Sequence, residues 1–151
     1  MRLFILLAAA AMVGSYFVTW LEPPFAGPDL SPDAMIGDQL QQLVMDGPWQ
    51  VWVFLGGFAA AGLAGLTALA GQGSGVMCLL AGLSPVTLGV YFYTRAEEFQ
   101  ADLGLPFTVD FQDLEQAYTL LEDFIRAGLY MYLGGAAILL LAGIAMTLGK
   151  R

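Results

Sequence analysis

Residues 49–71 read WQVWVFLGGFAAAGLAGLTALAG, a run with no Asp, Glu, Lys or Arg. A hydrocarbon core of about 30 Å needs about 20 apolar residues at roughly 1.5 Å of helix each. This run is long enough, and so are Leu3–Leu21, Val76–Thr94 and Ala127–Gly149, all equally free of charge. Only Gln72-Gly73-Ser74-Gly75 separates the second run from the third. A connection that short makes those two spans an antiparallel hairpin. The expected fold is all-α: a transmembrane four-helix bundle with two short amphipathic helices in its extracytoplasmic loops. It forms a single membrane domain over residues 1–151, with acidic loops at 22–48 and 95–126.

The composition agrees with that reading. The chain is 58% hydrophobic and 12% charged, with a mean hydropathy of +0.71, whereas a soluble domain carries about 25% charged residues. An ordinary water-soluble enzyme is excluded. Thirteen acidic residues against five basic give a net charge of -8, a sign that repels nucleic acid. The single cysteine offers no intramolecular disulfide.

Arg2, the apolar run after it and Ala8-Ala9-Ala10-Ala11 have features of a secretory signal. The run continues to Leu21, past the 7–15 apolar residues usual in a signal, so it is read as a retained signal anchor. Four spans put both termini on one side. Arg2, Lys150 and Arg151 lie in the tails, and Arg95 and Arg126 on the loop side. That bias favours cytoplasmic tails under the positive-inside rule. Trp20, Trp49, Trp52, Tyr91, Tyr93, Tyr130 and Tyr132 all fall at loop-side span ends, with Tyr16 one turn deeper. Such rings belong at headgroup depth, so both loops share one compartment. The expected location is the plasma membrane, of the bacterial inner-membrane kind, with tails cytoplasmic and loops outside.

Every acid lies in a loop: five in Glu22–Asp46 and eight in Glu97–Asp123. In the first loop, Ser31-Pro32 reads as an N-cap followed by proline at the first helical position. Ile36, Leu40, Leu43 and Val44 then line one helical face, and Asp46-Gly47-Pro48 ends that helix. In the second loop, Asp110 reads as an N-cap, and Phe111, Leu114, Tyr118, Leu121 and Ile125 follow helical spacing. No breaker separates that helix from the fourth span, so one long continuous helix is expected. The two apolar stripes either bury against each other as a cap or leave one free to dock a partner. Phe111, Asp113, Leu114, Glu115, Tyr118, Leu121 and Glu122 are the candidate docking residues. Lying flat on lipid suits the stripes less, because their polar faces are acidic rather than basic. Arg95 should pair with Glu97 or Glu98, and Arg126 with Glu122 or Asp123.

Lipid is as apolar as leucine, so spans associate through close packing of small residues. The candidate packing positions are Gly57, Ala61, Ala64 and Ala68 on the second span, with Gly71 continuing the face, and Gly128, Gly135 and Ala142 on the fourth. The face packs within the monomer or is kept for another subunit. Ser84-Pro85 predicts a kink in the third span, with the freed carbonyl met by Ser84 or Thr87.

The absence of histidine removes bis-histidine haem, the usual zinc sites and a Ser-His-Asp triad. Cys78 has no histidine to activate it and reads as a packing residue. Gly71–Gly75 lacks the lysine of a phosphate loop, and the loop acids lack calcium-loop spacing. Four spans with two external loops is the topology of membrane thiol oxidases and of claudin-like tetraspans, but both carry paired loop cysteines that this chain lacks. No catalytic, metal or cofactor residue is assigned. The expected function is a non-enzymatic accessory, assembly or stabilising subunit of a larger membrane protein complex. Its partners are other membrane subunits and lipid, and a homo-oligomer is compatible with the faces described. The alternative is a small channel or transporter using the bundle interior.

Overall fold

The computed structural model describes residues 1–22, 31–95 and 125–149, and the single positions 98, 115, 119 and 122. The protein is all-helical. Its first helix, α1, covers Arg2–Gly14 and runs into a 3-10 turn at Ser15–Phe17. In the first loop lie α2 (Pro32–Ile36), a 3-10 turn at Gly37–Gln39 and α3 (Leu40–Asp46). The long helices are α4 (Trp49–Leu69), α5 (Gly75–Thr94) and α6 (Ala127–Leu148). These last three are long and apolar enough to cross a membrane. Their outward residues, such as Leu66, Val90 and Leu141, are large, apolar and exposed.

Four pairwise contacts dominate: α1 with α4, α4 with α5, α5 with α6, and α6 back onto α1. The α4–α5 connection is a glycine-ended cap. The Gly71 N–H donates to the Ala68 carbonyl at 3.2 Å and the Gln72 N–H to the Thr67 carbonyl at 2.9 Å. Gly71 takes φ +81, which costs a residue without a Cβ nothing. Ser74 then caps α5, its Oγ accepting from the Met77 N–H at 3.4 Å.

The first apolar segment differs from the expectation. Its helix stops well short of Leu21, and Val18 is already extended at φ -99, ψ 144. Two local bonds set the stop: the Ser15 Oγ donates to the Met12 carbonyl at 2.6 Å, and the Trp20 Nε1 donates to the Ser15 carbonyl at 2.7 Å. A distant strip of chain then takes over the backbone. The Gly128 N–H donates to the Thr19 carbonyl at 3.0 Å, the Arg126 N–H to the Trp20 carbonyl at 2.8 Å, and Leu21 bridges Ile125 antiparallel. The first amides of any helix lack internal acceptors, and here residues 19 and 20 supply them to α6.

The same pairing overturns the continuous helix from the second loop into the fourth span. Arg126 is extended at φ -112, ψ 172, and α6 starts only at Ala127. In the first loop, the single helix expected after Ser31 is divided at Gly37–Gln39. Ser31 does cap it, accepting from the Ala34 N–H at 3.2 Å. No residue of α3 is buried, so Leu40, Leu43 and Val44 form no buried cap there. The second-loop stripe (Phe111, Leu114, Tyr118, Leu121) lies outside the described residues.

Candidate functional site

All the candidate packing residues are buried except Gly71, which is half-buried. On α4, Gly57, Ala61, Ala64 and Ala68 are joined by Ala60 and Gly65. On α6, Gly128, Gly135 and Ala142 are joined by Tyr132, Ala136, Leu139 and Gly143. The faces meet other helices of the same chain. A Cβ placed on Gly65 would stand 3.1 Å from the Ala9 Cβ of α1, and one on Gly135 would stand 2.7 Å from the Ala8 carbonyl oxygen. On Gly143 it would stand 2.8 Å from the Leu79 backbone nitrogen of α5, and on Gly57 it would collide with the Ser84 side chain. Each of the four helix pairs therefore has a glycine at a close contact. On the α5 side sequence reasoning named Cys78 as a packing residue but missed Ala81 and Gly82 beside it. Cys78, Ala81 and Gly82 are buried and stand at three- and four-residue spacing, a signal that was available.

Opposite Gly57, the Ser84 Oγ donates to the Val53 carbonyl at 2.7 Å. Ser84 thus bonds across to α4 rather than to the carbonyl freed by Pro85. Thr87 does not meet that carbonyl either, since its Oγ1 donates to the Leu83 carbonyl at 2.9 Å. The helix runs through Pro85 uninterrupted. Near Ser84 lies the Tyr132 hydroxyl, which makes no well-formed hydrogen bond.

The loop-side aromatics divide into two groups. Trp49, Trp52, Tyr93 and Tyr130 are half-exposed or more. Tyr132 is turned inward, in the core at 3% exposure. Its ring sits 4.6 Å from that of Trp20 and 5.3 Å from that of Phe58. Phe54 and Phe58 meet edge to face at 5.1 Å, and Tyr16 meets Phe58 at 5.4 Å. These separations are those of favourable aromatic pairs, so this group forms a wedge between α1, α4 and α6.

At the loop-side surface, Arg95 pairs with Glu98 at 3.1 Å and lies over the Tyr91 ring at 5.6 Å. Trp49 meets the same ring edge-on at 5.1 Å. Arg126 pairs with Glu22 rather than with its sequence neighbour Glu122, because the backbone pairing of Leu21 and Ile125 brings those two side chains together. Both pairs are about half exposed, and exposed pairs contribute at most about 1 kcal/mol. Of the candidate docking residues, Glu115 and Glu122 are exposed. The other five, Phe111, Asp113, Leu114, Tyr118 and Leu121, lie outside the described residues. Among the described residues no three His, Cys, Asp or Glu side chains come together as a metal would need. The chain matches no protein-family model, no curated protein and no solved structure.

Proposed function

We propose that this protein is a non-enzymatic integral membrane protein, a transmembrane four-helix bundle that serves as an accessory, assembly or stabilising subunit of a larger membrane complex. The filled interior carries the reading. Ile5, Met12, Cys78 and Leu139 are fully buried, and glycines let the helices approach closely, to backbone contact at Gly135 and Gly143. What the molecule offers to other molecules is its outside. In this reading α1 also crosses the bilayer. Its helical part spans about 25 Å, and extended Val18–Leu21 adds about 13 Å, enough for a core of about 30 Å. The tails are cytoplasmic and the acidic loops lie outside the plasma membrane, which is of the bacterial inner-membrane kind.

Thirteen acids, all in the two loops, would steer a basic partner and set its orientation while adding little raw affinity. Extraction of the tagged protein in mild detergent, with sizing and mass spectrometry, tests this directly. A stoichiometric membrane partner is expected. Its association should slow as salt rises from 0.1 to 1 M, over which the Debye length falls from about 10 to about 3 Å. Neutralising Asp110, Asp113, Glu115, Glu122 and Asp123 together should slow association while the helices stay folded. A protein that is monomeric and partnerless at native abundance, and that passes ions in liposomes, would establish the channel or transporter reading instead.

A further inference from the structure

Between α1 and α4, on the outer face of the helices, runs a shallow furrow of about 220 Å³ lined by Leu6, Ala9, Gly62, Gly65, Leu66 and Leu69, among others. Its lining is wholly apolar in residue type. At Gly62 the furrow is open, since a Cβ there would meet nothing within 4 Å. The tail-side end of the furrow carries a cation. Arg2, one helical turn before Leu6, reaches over the end of α4, its Nη1 3.6 Å from where a Gly71 Cβ would stand. The other two described arginines have carboxylate partners, Glu98 for Arg95 and Glu22 for Arg126. Arg2 makes no ion pair among the described residues. The C-terminus of α4 offers it only about half a unit of negative charge, and the N-terminus of α1 adds about half a unit of positive charge at the same place. Positive charge is left over there.

We infer that Arg2 and the α1–α4 furrow together bind one anionic phospholipid from the tail-side leaflet. Its phosphate lies on the Arg2 guanidinium, and one acyl chain lies along Gly62 and Gly65. The charge selects the headgroup, because a guanidinium matches phosphate oxygens in bidentate geometry. The lining selects the chain, because it is wholly apolar and leads up to the cation, the same order as an acyl chain below its phosphate.

The test uses the whole protein in mild detergent. Phosphatidylglycerol or phosphatidylcholine with identical acyl chains is added, and retained lipid is counted by native mass spectrometry and read as a shift in Tm. Phosphatidylglycerol should be retained roughly fivefold better than phosphatidylcholine, the difference expected for one surface cation, and should raise Tm. Inorganic phosphate alone should do neither. Arg2→Gln should bring the two lipids level. Gly62→Leu, whose Cβ would meet nothing within 4 Å, should fill the furrow and release both, and Ala10→Leu, at an exposed lining position, should repeat that result. Equal retention of the two lipids by the unaltered protein overturns the proposal, as does undiminished phosphatidylglycerol binding in both filled variants. Protection by phosphate alone would mean a free-anion site, and a dimer dispersed by Gly62→Leu would mean that the furrow holds a second copy. Either outcome also overturns it.

Discussion

A methyl group on Gly128 would stand 2.6 Å from the Thr19 carbonyl oxygen and 2.7 Å from that of Val18, with the Trp20 ring as close. Two of these are backbone atoms, and the Thr19 oxygen is already held by the Gly128 N–H, so they cannot easily step aside. Gly128→Ala should therefore lower stability by about 1–3 kcal/mol, the usual penalty for overpacking. Gly134→Ala is the matched control, because its Cβ would meet nothing within 4 Å. Relief of glycine's helix penalty of about 1 kcal/mol should leave that variant neutral or stabilised. Thermal unfolding of both in one detergent makes the comparison, and equal effects would mean that the Gly128 contact carries no strain. A second pair of residues separates a used hydroxyl from an unused one. Ser84→Ala deletes the bond to the Val53 carbonyl and should cost about 0.6 kcal/mol, the average for such bonds between membrane helices. Tyr132→Phe removes a hydroxyl with no well-formed bond and should change Tm little.

At the scale of the helices, the buried face of α4 gives the clearest test. Ala61 and Ala64 are 0% exposed, whereas Leu63 on the opposite side is 47% exposed. Ala61→Leu or Ala64→Leu should each cost about 1–3 kcal/mol, and Leu63→Ala much less. Similar losses at all three positions would mean that α4 has no preferred inner face. The three long helices were legible because hydropathy and length are local properties, and their ends fall within two residues of the sequence boundaries. The end of α1 was not legible. Val18 to Leu21 are apolar or β-branched enough to continue a span, and what holds them extended is the backbone of residues 125–128. No window on either segment contains that information. Arg126 shows the same limit, since Glu122 and Asp123 are its neighbours in sequence and Glu22 is its partner in space. The small residues of α4 and α6 could be named from spacing alone. Which helix each one meets could not, because four similar apolar faces can pair in several ways.

For the molecule as a whole, orientation is the property most open to direct measurement. In a Cys78→Ala background, a cysteine at Asp38 in the first loop should react with a membrane-impermeant maleimide on intact cells. One at Gln72, in the exposed α4–α5 turn, should react only after permeabilisation. The reverse pattern would place the tails outside. The clasp between residues 19–21 and 125–128 bears on how the protein is made. In the proposed membrane arrangement every peptide oxygen without a donor raises the energy, and the Thr19 and Trp20 oxygens receive theirs from amides made about a hundred residues later. At synthesis rates of about 5–20 residues per second, the first segment waits roughly 5–20 s for its counterpart to leave the ribosome. During that interval its two carbonyl oxygens lack the donors that the folded protein gives them. A chain stopped before Ile125 would leave the Thr19 and Trp20 oxygens without these donors.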